Sequence, residues 1–147
     1  MSVSRVTAVL APRSGMLTLA LALAVLATCA GTAGAQESNG LWVAPERAAR
    51  QTDPTPATVS NIKHGHALFQ RECELCHGKA GHGDGMQAAY LQPPKPADLT
   101  SEKVQSQSDG AIFYKITEGR GQMPKAKLND TEKWAVIEYV RTLATKK

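Results

Sequence analysis

Aromatic residues are scarce in this chain, and so are cysteines. Phe, Trp and Tyr make up 5% of the 147 residues, and only three cysteines are present. A chain of this length is expected to form one domain. Because a small domain buries a modest fraction of its surface, its side chains alone are expected to build only a limited core.

A long apolar run is also missing. The run Leu17–Ala27 has 11 residues, which is too short to indicate a membrane span. It follows Arg5 and Arg13 and precedes the small residues Ala33–Ala35, which is the order of a secretory signal. The sequence therefore predicts a signal peptide over residues 1–35 and a protein that is exported to the periplasm.

A competing interpretation of the N-terminus is a lipoprotein. The segment Leu26–Cys29 resembles a site at which a cysteine is lipidated. Thr28 fits that pattern poorly, because a smaller Gly, Ala or Ser usually precedes the cysteine. We favour cleavage after Ala35, and a membrane anchor on Cys29 stays open as the alternative.

Neither a strong charge nor a phosphate-binding loop is present. The formal net charge is +4, and removal of Arg5 and Arg13 with the signal would lower it by two. The segment Gly78–Gly85 contains four glycines but lacks the Lys-Ser/Thr signature of phosphate-binding loops. We therefore expect no nucleic-acid partner, and no small-molecule substrate is expected.

What the sequence does contain is a Cys-x-x-Cys-His pattern, Cys73-Glu74-Leu75-Cys76-His77. Two thiols three positions apart can each add to one vinyl group of a single haem, and the adjacent imidazole can then bind the iron. A Cys-x-x-Cys pair could instead be a redox disulfide or half of a zinc site. The histidine and the exported compartment favour one haem c, bound covalently through two thioethers, with His77 as a ligand to its iron.

Such a haem would fill much of the interior, so we expect the apo chain to fold poorly. With Cys73 and Cys76 used for attachment and Cys29 lost with the signal, no pair remains for a structural disulfide. A metal-bound histidine normally donates its other ring N–H to a carbonyl. We predict that acceptor within Pro93–Pro96, with Pro96 favoured; a plain rigid loop is the open alternative.

Met123 is predicted to be the second axial ligand. It lies 46 residues after His77, in the loop Gly119–Pro124, which can fold over the far haem face. Isolated methionines usually serve packing, but the Met-Pro pair, the glycines and the distance from His77 favour ligation. Met86 is the competing methionine and is only nine residues from His77. Three further histidines lie too close to the attachment site to reach the opposite haem face: His64, His66 and His82. We interpret His64 and His66 as surface residues.

Three helices are predicted. The first runs from an N-cap at Asn61 to about Glu72, the second spans Ser108–Glu118, and the third spans Asp130–Ala144 after a capping box. A glycine inside a helix costs about 1 kcal/mol relative to alanine. Gly65 therefore indicates a place where the last helix comes close to the first.

Residues 36–60 form an arm that contains three prolines and shows no sustained helical or strand period. We interpret this arm as an extended linker or surface wrap. Its apolar residues Leu41, Trp42 and Val43 are expected to dock on the domain, and contact with a partner protein is the alternative.

Together these features resemble the class I cytochromes c. The residues that carry the resemblance are Gly65, Phe69, Cys73, Cys76, His77, Met123, Pro124, Trp134 and Tyr139. It covers residues 61–145, and the segments 78–85 and 93–100 are similar to bacterial monohaem members, including those that serve membrane oxidoreductase complexes. The resemblance implies an all-α cytochrome c fold over residues 61–147, with three main helices packed around one covalently attached haem. Met86, where many relatives have proline, and the long arm depart from the family pattern.

The resemblance also implies the function. We expect a non-enzymatic carrier, or electron-transfer subunit, that passes one electron at a time between redox partner proteins of a respiratory chain. Its haem would have His77 and Met123 as axial ligands, and the partner is expected to be a membrane or periplasmic oxidoreductase complex. The alternatives are a peroxidase-like enzyme or ligand sensor with an open iron site, and a structural subunit that docks through its arm.

Overall fold

A computed structural model describes residues 42–55 and 57–144 of the chain. Within them the backbone forms six α-helices and one 3-10 helix, and no β-strand. In chain order these are α1 (Glu46–Ala49), α2 (Val59–Glu72), α3 (Glu74–His77), the 3-10 helix (Met86–Tyr90), α4 (Glu102–Gln105), α5 (Asp109–Glu118) and α6 (Asp130–Thr142). The predicted all-α class is confirmed, and the three longest helices correspond to the three predicted ones.

Several predictions fall on residues outside the described part of the chain. They are the signal peptide, lipidation of Cys29 and docking of Leu41. Among the helices of the described residues, none is long and apolar enough to cross a membrane.

Helices α2 and α6 cross with their backbones in contact at Gly65. A Cβ atom at this position would overlap the Ala135 carbonyl and lie 3.1 Å from the Val136 nitrogen, so only glycine lets the two helices approach this closely. Beside the crossing, the ring centroids of Phe69 and Tyr139 are 5.2 Å apart. The predicted approach of the last helix at Gly65 is therefore confirmed.

The core lies between α2, α5 and α6. Trp134 on α6 is only 6% exposed, and its ring stacks on Phe113 of α5 at a centroid distance of 4.4 Å. The other buried members are Leu68, Phe69, Val104, Ile112, Ile116, Leu128, Ala135, Val136, Ile137 and Val140. This cluster fixes the relative positions of the two helices that precede the predicted haem ligands, α2 and α5.

The first long helix begins earlier than the sequence predicted. Thr58 has extended backbone angles (φ −125°, ψ 158°) and its hydroxyl accepts a hydrogen bond from the Asn61 N–H at 3.1 Å. Thr58 is thus the N-cap, α2 starts at Val59, and the predicted cap at Asn61 is wrong. Both residue types cap helices well, so composition alone did not separate them.

The starts of the other two long helices match the prediction. Ser108 caps α5, its hydroxyl accepting the N–H three residues later at 3.2 Å. Asn129 and Glu132 form the capping box of α6 through reciprocal hydrogen bonds of 3.0 and 2.8 Å. The end of α6 differs, since the helix stops at Thr142 rather than at Ala144.

The described part of the arm lies against the domain. The Ser108 hydroxyl donates a hydrogen bond to the Ala49 carbonyl at 2.6 Å, and the Lys115 ammonium lies 5.6 Å from the centroid of the Trp42 ring. Trp42 therefore docks as predicted, whereas Val43 is exposed. The arm also contains one helical turn, α1, although its sequence shows no sustained helical period.

Glu138 of α6 is a buried carboxyl beside the arm. It is 9% exposed, and among the described residues no hydrogen bond of ordinary geometry reaches either carboxyl oxygen. Burial, which is the largest cause, and the charge of Asp53 on the arm raise the pKa of Glu138, while the Asn61 amide of α2 opposes them. This carboxyl therefore favours its protonated form more strongly in the folded state than in the unfolded chain.

Stability should consequently depend on pH through Glu138. A carboxyl whose folded-state pKa is raised contributes its full stabilisation below the unfolded-state pKa of about 4.3, and this is lost as pH rises through the folded-state pKa. Glu138→Gln should flatten that decline and raise the urea midpoint of the holoprotein at pH 7. Glu46→Gln, at an exposed position of the arm, is the control. Equal pH slopes for Glu138→Gln and the unmutated protein would contradict this.

The helix crossing gives a second stability prediction. Gly65→Val should force α2 and α6 apart and lower the urea midpoint of the holoprotein, whereas Ala67→Val, on the exposed side of the same helix, should have little effect. Trp134→Ala should cost about 3–5 kcal/mol because it leaves a cavity in the core. Unchanged midpoints for Gly65→Val and Trp134→Ala would show that these faces do not carry the packing.

Candidate haem site

The Cys-x-x-Cys-His residues form one helical turn that continues from α2. The Cys73 N–H donates to the Phe69 carbonyl at 2.8 Å, and the His77 N–H donates to the Cys73 carbonyl at 2.9 Å. This pattern extends the hydrogen bonding of α2 into α3 with only a local change of direction at Cys73 (φ −122°, ψ −36°). Cys73 and Cys76, three positions apart on a helical turn, lie on the same side of it.

The state of the two thiols argues against a redox disulfide. Cys73 and Cys76 are both unpaired and half-buried. Burial, followed by the charges of Glu72 and Cys76, raises the pKa of the Cys73 thiol to about 12. A reactive Cys-x-x-Cys motif instead lowers the pKa of one cysteine so that a thiolate forms. The surroundings of Cys73 therefore suit a protonated thiol.

The zinc alternative also lacks support. Across residues 42–55 and 57–144, no group of three or more His, Cys, Asp or Glu side chains is arranged to hold a metal ion. A structural zinc ion is almost always held by four such ligands. A site with two thiols and one imidazole on a single turn fits covalent haem attachment better.

The orientation of His77 is set by a backbone carbonyl. Its Nδ1 lies 3.1 Å from the Ala97 oxygen, and because a carbonyl only accepts hydrogen bonds, Nδ1 carries the proton. Burial, the larger influence, lowers the pKa of His77, and the hydrogen bond to Ala97 opposes it. The ring is therefore held as a neutral imidazole whose Nε2 has a free lone pair, the form that binds iron.

The acceptor differs from the prediction by one residue. The sequence placed it within Pro93–Pro96 and favoured Pro96, and this is wrong. The Pro96 carbonyl packs instead against Gly83, where φ is +78° and a Cβ atom would overlap that oxygen. The Pro96 carbonyl thus faces the glycine loop, and the next carbonyl, that of Ala97, faces His77.

The glycine-containing loop closes around this turn. Its N–H groups donate to the carbonyls of His77 (from Gly83, 2.8 Å) and Cys76 (from Gly85, 3.2 Å). On its other side, the Leu99 N–H donates to the Gly81 carbonyl at 2.6 Å. The loop thus ties the Cys-x-x-Cys-His turn to the segment that supplies the Ala97 carbonyl.

Met123 lies in a tight turn after α5. The backbone groups of Arg120 and Met123 exchange two hydrogen bonds of 2.9 and 3.0 Å, and the Ala126 N–H donates to the Ile116 carbonyl at 3.0 Å. The Met123 side chain is half-buried and packs against the core. Met86, by contrast, is 81% exposed, which favours Met123 as the methionine available to a buried iron.

The other histidines have separate surroundings. His64 is exposed, as predicted. His66 is half-buried and stacks on Tyr139 with ring centroids 4.5 Å apart, so its interpretation as a plain surface residue is wrong. His82 is exposed and lies 3.5 Å from the Asp98 carboxylate. The packing of His66 was not predicted because the ring that covers it belongs to the distant α6.

Two further side chains form hydrogen bonds to the backbone of residues 88–92, and neither contact was predicted from the sequence. The Gln122 side chain is hydrogen-bonded to the backbone of Gln92 through both its oxygen and its nitrogen. The Lys95 ammonium donates to the carbonyls of Ala88 and Leu91 at 2.9 and 2.5 Å. Neither contact leaves a signal in the sequence, because each joins an ordinary polar side chain to the backbone.

An all-α domain with a Cys-x-x-Cys-His turn and an oriented, neutral histidine defines a c-type cytochrome. The chain belongs to the family described as cytochrome c oxidase, cbb3-type, subunit III, whose model matches residues 60–140. The c-type cytochrome resemblance seen in the sequence is thereby confirmed, and with it haem-based electron transfer and a covalently bound haem c.

A solved structure supports the same class. The chain is similar to one from the reducing HAO-like protein complex of Kuenenia stuttgartiensis, with 30% sequence identity and a TM-score of 0.56. The similarity covers 63% of this chain and 48% of that chain, so this protein spans less than half of its solved relative. No curated protein matches the sequence.

Proposed function

We propose that this protein is a single-haem, one-electron carrier, or the electron-transfer subunit of a complex, that works in the periplasm. The observation that carries the proposal is the hydrogen bond from His77 Nδ1 to Ala97. It keeps one imidazole nitrogen protonated and turned away, and it leaves the other for the iron. The two unpaired thiols on the same turn suit attachment of one haem.

Met123 is the proposed sixth ligand. Its side chain is half-buried and packs against the core, whereas that of Met86 is exposed. A His/Met pair raises the reduction potential of a c-type haem. With both axial positions filled by side chains, the iron would exchange electrons without binding a substrate, which is the property of a carrier.

The chain's own residues have distinct tasks in this scheme. The bound haem supplies the reversible one-electron chemistry of its iron. Cys73 and Cys76 would hold the haem through one thioether each. His77 stays neutral because its surroundings disfavour the imidazolium. The core of α2, α5 and α6 excludes water and lowers the reorganisation that accompanies electron transfer.

Redox partner proteins are the proposed substrates. The family to which the chain belongs is named for an oxidase subunit, and the similar solved chain is part of a protein complex. Both support a membrane or periplasmic oxidoreductase complex as the partner. An open-site haem enzyme or sensor is the second candidate, because the similar solved chain comes from a complex described as HAO-like.

Attachment and export can be tested together on the purified holoprotein. Intact-mass spectrometry after denaturation should show a chain that starts at Gln36 and carries one haem, which acid acetone does not extract. Cys73→Ala and Cys76→Ala should each retain haem through one thioether, and the double variant should release it. Haem that is extracted from the unmutated protein would contradict covalent attachment. A diacylglyceryl mass on Cys29, absent from Cys29→Ser, would support the lipoprotein instead.

Ligation by Met123 separates a carrier from an enzyme. The ferric protein should show the weak near-infrared charge-transfer band of a sulfur–iron bond, and the ferrous protein should bind carbon monoxide poorly at neutral pH. Met123→Ala should remove the band, lower the reduction potential and admit carbon monoxide, whereas Met86→Ala should change none of these. Tight binding of carbon monoxide by the unmutated protein would contradict the carrier and favour the enzyme or sensor.

A further inference from the structure

The turn that contains Met123 is joined to a distant loop by the side chain of the residue before it. The Gln92 N–H donates to Gln122 Oε1 at 2.9 Å, and Gln122 Nε2 donates to the Gln92 carbonyl at 2.6 Å. The amide side chain thus pairs with both backbone groups of one residue, 30 positions away in the sequence. This reciprocal pair is named the Gln92–Gln122 clamp.

The other hydrogen bonds of the Met123 turn, within the described part of the chain, do not reach the opposite loop. They are internal, between Arg120 and Met123, or lead back to α5, as from Ala126 to Ile116. The Lys125–Glu118 ion pair, at 3.0 Å, also leads back to the end of α5. The clamp is therefore the polar connection that ties this turn to the opposite loop.

The loop that receives the clamp is itself fixed. The Lys95 ammonium donates to the carbonyls of Ala88, Ala89 and Leu91, at 2.9, 3.3 and 2.5 Å. These three carbonyls lie in or just after the 3-10 helix, and the Ala88 carbonyl also accepts the Leu91 N–H at 3.4 Å. Because Lys95 immobilises the backbone that leads into Gln92, the clamp joins the Met123 turn to a rigid anchor.

A rigid anchor matters more for methionine than for histidine. The methionine side chain is unbranched and has three rotatable bonds, so its own rotamer preferences do little to hold the sulfur in place. A thioether is also a neutral, soft ligand. Retention of such a ligand depends on the backbone that presents it, and outer residues that orient metal ligands commonly change affinity about 10–100-fold.

We propose that Gln122 is a positioning residue for the axial ligand Met123, and that it acts by clamping the ligand turn to the backbone of Gln92. This inference rests on the proposed ligation of the haem iron by Met123. The clamp restricts outward movement of the turn, keeps the sulfur over the iron, and so resists replacement of Met123 by external ligands.

The test compares two single variants of the ferric holoprotein. Gln122→Ala removes both hydrogen bonds of the clamp. Gln92→Ala is the matched control, because Gln92 takes part only through its backbone and the substitution leaves both bonds in place. Each protein is titrated with imidazole, a ligand that competes with the sulfur, while the near-infrared sulfur–iron band is followed. Urea denaturation of each variant reports its global stability.

Gln122→Ala should bind imidazole about 10-fold more tightly than the unmutated protein, and its near-infrared band should disappear at a lower pH on alkaline titration. Gln92→Ala should match the unmutated protein in both respects. Unchanged imidazole affinity in Gln122→Ala would overturn the proposal. If Gln122→Ala has a lower urea midpoint but an unchanged imidazole affinity, Gln122 contributes to fold stability alone, and the proposal is overturned as well.

The failure of the underlying ligation has a different signature. If Met123 does not bind the iron, the unmutated protein lacks the near-infrared band, and Met123→Ala binds imidazole no more tightly than the unmutated protein does. If that band is present and is lost in Met123→Ala, but Gln122→Ala leaves imidazole affinity unchanged, ligation stands and only the positioning role is contradicted.

Discussion

The hydrogen bond between His77 and Ala97 is the interaction on which the arrangement of the site depends. Its 3.1 Å geometry fixes which imidazole nitrogen is protonated and which way the ring faces. The neighbouring carbonyl, that of Pro96, packs against Gly83 of the glycine-containing loop. Because α3 continues from α2, His77 follows directly on the helix that contacts α6 at Gly65.

The two sides of the site are held by different means. On the histidine side, backbone hydrogen bonds link the Cys-x-x-Cys-His turn, the loop after it and the Ala97 segment. On the methionine side, a tight turn is connected to the opposite loop through an exposed glutamine side chain. An exposed hydrogen bond opens more readily than a buried one, because water can replace either partner. The Gln92–Gln122 clamp is therefore expected to open more readily than a buried hydrogen bond of the same length would.

Much of the fold could be predicted from local signals in the sequence. Helix starts could be predicted at Ser108 and at the Asn129–Glu132 capping box because capping hydrogen bonds form within four residues of sequence. The helix crossing could be predicted at Gly65 because glycine destabilises a helix interior and indicates a close approach of another backbone. The features that were missed depend on distant residues or on short elements. The Ala97 carbonyl accepts a hydrogen bond from His77, which lies 20 residues away in the sequence, and the single turn α1 is too short to show a period.

The central claim is that His77 and Met123 hold one haem iron between them. Proton NMR of the reduced holoprotein tests it directly, because a methyl group above the centre of a haem ring is shielded by the ring current and shifts far upfield. The account predicts one methionine methyl with such a shift, absent from Met123→Ala and present in Met86→Ala. A spectrum without any strongly shifted methionine methyl, or one whose shifted methyl disappears in Met86→Ala, would contradict it.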